Sequence, residues 1–132
     1  MTLPIISGYS AALIAILQVI LMMTVGIARQ SEGVSVGDGG NDALLLKIRR
    51  HGNLTENAPI FLILLGILEI SGGPQMVILG LASLFVLARF SHAFALSGPN
   101  TPAAARAFGA FGTLLSIVGS AGILVWHLSG TT

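Results

Sequence analysis

Cysteine is absent and charge nearly so: the 132-residue chain has no Cys and eleven charged side chains, 8% of its length. The first absence excludes disulfides, thiolate metal sites and cysteine nucleophiles, and leaves the redox compartment unreadable. The second excludes a soluble domain, which carries about a quarter charged residues. A disordered chain is excluded as well, because disorder needs low hydrophobicity and high charge, whereas this chain is 54% hydrophobic with a mean hydropathy of +0.92. A formal net charge of +1 gives no electrostatic reach for nucleic acid, whose binders present dense Lys and Arg surfaces. What remains is a small integral membrane protein surrounded by membrane lipids.

The few charges are unevenly placed. Eight of the eleven (Arg29, Glu32, Asp38, Asp42, Lys47, Arg49, Arg50 and Glu56) lie between residues 29 and 56; only Glu69, Arg89 and Arg106 lie elsewhere. An apolar run of about 20 residues crosses a bilayer, and the uncharged opening predicts a first span over about 5–28. It lacks the basic flank and short core of a cleaved signal, so it is expected to stay. Residues 29–40 are polar and glycine-rich, which predicts a loop. Asn41 and Asp42 then offer N-caps for a second span over about 43–70, closed by a Ser71-Gly72-Gly73-Pro74 turn. A third span is expected over about 75–96, ended by Ser97-Gly98-Pro99-Asn100. The fourth runs over about 102–128, with Thr101 as cap and Pro102 at its first position.

The expected fold is thus one all-α membrane domain over residues 1–132, an antiparallel, left-handed four-helix bundle. Lys and Arg mark the cytoplasmic side. All six fall near the 1–2 and 3–4 connections, so both termini are expected to be extracytoplasmic. Trp126 and Tyr9 suit interfacial anchors at that outer face. On the fourth span Ala105, Gly109, Gly112, Ser116 and Gly119 form a small-residue seam that lets another helix approach closely.

Ionisable groups inside a span are costly and face a protein interior or a wet cavity. Arg49, Asn53 and Glu56 recur at i, i+4 and i+7, on one helix face. Set against them is the plain reading of an Arg–Glu pair that neutralises itself. Pro59, one turn on, either opens backbone polarity beside that face or bends the helix for packing. Arg89 and His92 form an i, i+3 pair at the same membrane side, and Arg106 begins the fourth span there. Each has a bland alternative: a packed interior histidine, or an arginine snorkelling to the headgroups. His51, His92 and His127 lack metal-ligand spacing with carboxylates, so no metal is expected. Together Lys47, Arg49, Arg50, Arg89 and Arg106, against Asp42 and Glu56, suit a small net-anionic ligand with one cationic group. Arginines fork onto carboxylates, and glutathione has that inventory of groups. Glu69, near the other end of the second span, has no evident role.

The run from Arg49 to Pro59, with its core Arg49-x-x-x-Asn53-x-x-Glu56, resembles the second-helix signature of the membrane-associated proteins in eicosanoid and glutathione metabolism, the MAPEG family. Gly37-Asp38-Gly39-Gly40-Asn41 is similar to the bacterial branch of that family. Arg89-x-x-His92 resembles a third-helix motif, and Arg106-x-x-Gly109-x-x-x-Thr113 the start of the family's fourth helix. The resemblance implies a homotrimer holding glutathione as co-substrate between neighbouring subunits near the cytoplasmic face of a bacterial inner membrane. It further implies that Arg49, Asn53 and Glu56 bind the tripeptide and that Arg106 polarises its thiol. Arg89 and His92 would line the site, with Arg50, His51 and Lys47 adjacent.

The activity implied is that of a microsomal-type glutathione transferase, conjugating glutathione to a hydrophobic electrophile or reducing a lipid hydroperoxide. Leu96 and Asn57 stand where several members carry tyrosines, which argues against a dedicated eicosanoid synthase. A non-catalytic lipid-binding or scaffold protein of the same fold is the alternative. A small multidrug transporter is a third reading, disfavoured because the first span holds no glutamate.

Overall fold

A computed structural model describes residues 3–95 and 102–130. Its four helices are α1 (Ile5–Glu32), α2 (Asp42–Ile70), α3 (Gln75–Ala95) and α4 (Ala103–Ser129). All four are long and apolar enough to cross a membrane. Among the described residues no strand is present, so the expected all-α membrane bundle is the observed one.

The ends differ from expectation in small, explicable ways. α1 continues a turn past residue 28 because nothing in Arg29–Glu32 opposes a helix. It stops at Gly33, in the left-handed conformation (φ 66°), where the Val34 amide donates to the Arg29 carbonyl at 3.0 Å. Asn41 caps α2, its side chain accepting from the Leu44 amide at 3.1 Å, so Asp42 is the first helical residue rather than a cap. Pro102 was expected at the first helical position; its ψ of 131° makes it the N-cap instead. Thr101, Leu96 and the Ser97–Asn100 break lie outside the described residues. α2 runs unbroken through Pro59.

α2 and α3 form the centre, with α1 on one side and α4 on the other; among the described residues α1 and α4 do not touch. Phe61 and Phe85 stack at 3.9 Å between centroids, with their planes 11° apart, inside a core that includes Ile14, Leu65, Leu68 and Ile78. The α4 seam meets α3. Gly109 lies against His92, Gly112 against Ala88 and Gly119 against Leu81, and Ser91 Oγ donates to the Ala105 carbonyl at 3.0 Å. Side chains such as Ile16, Met23, Phe111, Leu115 and Val118 point outward. That much apolar exposure would be prohibitive in water and is ordinary in lipid. Tyr9 and Trp126, 72% and 71% exposed, stand near opposite ends of the chain.

Glu69 acquires a role. α1 begins after Pro4, which has no side-chain group to cap the helix. The carboxylate of Glu69, only 8% exposed, supplies the acceptors from the end of α2. Oε1 accepts from the Ile6 amide at 2.9 Å, and Oε2 accepts from the Ser7 amide at 2.8 Å and the Ser7 hydroxyl at 2.6 Å. An anion at a helix N-terminus also complements the helix dipole. Glu69→Gln is expected to lower stability by about 1–3 kcal/mol, as charge-assisted bonds are weakened and one acceptor becomes a donor facing donors. Unfolding of the detergent-solubilised variant measures this, and an unshifted midpoint would show that the cap contributes nothing.

Candidate functional site

The α2 face read from spacing lines a cleft of about 500 Å³. Arg49, Gly52, Asn53 and Glu56 form its floor, with Leu45 and Ile48 from the preceding turn. Arg29 enters from the end of α1, Gly37 and Asp38 from the α1–α2 loop, and His92 from α3. Two guanidiniums and two carboxylates therefore share one cavity with a carboxamide and an imidazole. Arg49 and Glu56 make no hydrogen bond or ion pair with another described residue, so the self-neutralising pair is not what the structure shows. Their charges are open to the cleft.

Arg29 and Asp38 are not among the site residues expected from sequence. They arrive because the loop doubles back, with Gly37, Gly39 and Gly40 all at positive φ. Gly40 donates to Asp38 Oδ1 at 3.0 Å and Asn41 to the Asp38 carbonyl at 3.0 Å. Asp38 is thereby held at the cleft edge. The available signal was the shortness of the connection, which keeps its polar residues near both helix ends.

Arg89 is 3% exposed and lies beneath the cleft. Its guanidinium donates to Asn53 Oδ1 and, at 2.8 Å, to the Gly109 carbonyl, with Cζ 5.8 Å from the centroid of the Phe85 ring. Three helices are thus tied at one point. Because Oδ1 of Asn53 is occupied, its Nδ2 is left to face a ligand as a donor. Asn57 Nδ2 donates to the Asn53 carbonyl at 2.7 Å and reinforces the same residue.

Arg50 and His51 point elsewhere. Successive residues on a helix are about 100° apart, and these two turn toward α1. Arg50 donates to Thr24 Oγ1 at 3.3 Å, and His51 Nε2 lies 2.9 Å from Gln18 Nε2. Gln18 also donates to Thr55 Oγ1 at 2.6 Å. Neither Arg50, His51 nor Lys47 lines the cleft. Arg106 is exposed in the first turns of α4 and does not line it either.

The geometry admits a ligand with charges of both signs, held by side chains from α1, the loop, α2 and α3. A family model described as the MAPEG family matches residues 7–126 of this chain. No curated protein and no solved structure matches it.

Proposed function

The chain belongs to the MAPEG family, and on that premise we propose that it is a membrane glutathione transferase, conjugating the tripeptide to hydrophobic electrophiles. The observation that carries this reading is the cleft in which Arg29 and Arg49 stand with Asp38, Glu56, Asn53 and His92. Glutathione has two carboxylates, one ammonium, two amides and a thiol. Guanidiniums bind carboxylates as bidentate forks, the two carboxylates offer acceptors to the ammonium, and Nδ2 of Asn53 donates to a peptide carbonyl. The charged end of the bundle faces the cytoplasm in this reading, with both termini outside a bacterial inner membrane.

The thiolate is the nucleophile, and a thiol of pKa about 8.5 is only a few per cent ionised at pH 7. A guanidinium that lowers this by about two units supplies about 2.7 kcal/mol and makes the thiolate the majority species. We assign that role to Arg106, contributed across the interface of a homotrimer, because within one chain it does not reach the cleft. A glutathione titration followed by both heat and thiolate absorbance tests the proposal: both signals are expected, and the absence of both would overturn it. Arg106→Ala is expected to retain the heat, lose the absorbance and slow conjugation about 20-fold at pH 7. An unchanged rate removes Arg106 from the mechanism.

A non-catalytic lipid-binding role has its own support. An apolar groove of about 390 Å³ runs between α1 and α3, lined by Ile6, Tyr9, Leu13, Leu79, Val86 and Leu87. This second reading predicts co-purifying lipid and no turnover at any glutathione concentration.

A further inference from the structure

The charges outside the cleft are not balanced as those inside it are. In the cleft Arg29 and Arg49 are matched by Asp38 and Glu56, and Glu69 is engaged at the start of α1. Lys47 and Arg50 lie outside the cleft, and neither forms an ion pair with a described residue. Arg50 donates to a neutral group, the Thr24 hydroxyl on α1, at 3.3 Å, and its buried Nε has no acceptor. At i and i+3 the two cations are neighbours on one side of α2. They lack an anion.

Their depth in the bundle indicates where one comes from. At a helical rise of about 1.5 Å per residue, Arg50 lies about 30 Å from Ile70, the far end of α2. The hydrocarbon core is also about 30 Å thick. With Ile70 at one boundary, Arg50 therefore stands at the other, and Lys47 lies nearly a turn further into the headgroups. The adjoining face of α1 is apolar. Ile20 and Ile27, one turn either side of Thr24, are 52% and 63% exposed.

We propose that the seam between α1 and α2 binds the phosphate of an anionic phospholipid, drawn from the leaflet at the charged end of the bundle. The acyl chains lie along Ile20 and Ile27, and the phosphate stands level with Thr24 and Arg50. The guanidinium forks onto the phosphate oxygens, Lys47 adds a second positive charge, and the Thr24 hydroxyl orients the fork. An oxygen reaching Nε also satisfies a donor that is costly to leave unpaired. Basic pockets between spans bind such headgroups. A headgroup with its own ammonium is disfavoured, because no carboxylate is paired with either cation to receive it. Arg49 and Arg50 serve different ligands, since successive helical residues diverge by about 100°. The lipid site stands whether or not the cleft takes glutathione.

Native mass spectrometry of the delipidated protein in detergent, titrated with phosphatidylglycerol or phosphatidylcholine of identical chains, tests this. Phosphatidylglycerol is expected to bind about 20-fold more tightly, at about fivefold per cation. Arg50→Gln and Lys47→Gln should each remove about fivefold of that preference. Arg49→Gln, which takes the same charge from the cleft, should leave it intact. Glutathione binding in the Lys47 and Arg50 variants is expected to stay within twofold of wild type. A wild-type protein without the preference, or one in which Arg49→Gln weakens it equally, has only a diffuse attraction and no site. Displacement of the lipid by millimolar inorganic phosphate would identify a soluble-phosphate site and refute the lipid assignment. Loss of glutathione affinity with the lipid preference intact returns both cations to the cleft and overturns the proposal.

Discussion

Gly109→Val is expected to abolish the folded bundle, and Gly109→Ala to destabilise it by about 1–3 kcal/mol. A Cβ at this position would stand 2.6 Å from His92 Cβ, 2.9 Å from His92 Cα and 3.0 Å from His92 N. Two of those three atoms are backbone, so no rotamer change relieves the clash and α3 and α4 must separate. The second branch carbon of valine extends the conflict along the seam, where Gly112 already lies against Ala88, and raises the expected loss beyond about 3 kcal/mol. Separation also lengthens the Arg89–Gly109 bond and moves His92, so the site is lost together with the fold. Gly122→Ala is the internal control. It lies on the same helix with nothing within 4 Å of the added carbon, and it should be neutral or stabilising by about 0.5–1 kcal/mol. Denaturant titration in detergent, followed through the single Trp126, compares all three. A Gly109→Ala protein as stable as wild type would mean that the two helices are not locked at this point.

Arg89→Ala has the other large expected effect, a loss of about 2–5 kcal/mol. Truncation leaves a cavity over Phe85 and strips Asn53 Oδ1 of its donor, while the Gly109 carbonyl keeps only Thr113. Arg89→Met separates the contributions. Methionine refills the space and removes a desolvated cation, so stability should recover most of the way. It cannot hold the Asn53 carboxamide, however, and glutathione affinity should fall about tenfold in both variants. Equal affinities in the Met variant and the wild type would show that Asn53 needs no anchoring. A Met variant as unstable as the Ala variant would place the stabilisation in the hydrogen bonds rather than in packing.

Most of the architecture was legible before any coordinates, because a bilayer demands long apolar runs and the turns between them are written in Gly, Pro, Asn and Ser. The Asn41 cap and the α4 seam followed from residue type and spacing alone. The Arg49–Asn53–Glu56 face was visible for the same reason, since a helix converts a 4-3 spacing into proximity. What spacing could not convey was tertiary. Arg50 and His51 belong with the site in sequence and with α1 in space, a divergence that the 100° step between neighbours produces. Arg89 could be placed beside the site from its spacing with His92, but its burial and its bond to Asn53 could not. Arg29 and Asp38 joined the cleft through a loop whose path depends on three glycines at positive φ. The short connection kept them near both helix ends, but the path of the loop between those ends is not written in a residue period.

The Glu69 cap sets an order of events during biosynthesis. The amides of Ile6 and Ser7 find their acceptors on a residue more than sixty positions later. Until that residue emerges from the ribosome, the start of α1 must keep its donors in contact with water or headgroups, and cannot settle to its final depth. The smallest nascent segment that satisfies itself is therefore the hairpin of α1 and α2, and the two should enter the bilayer together rather than one after the other.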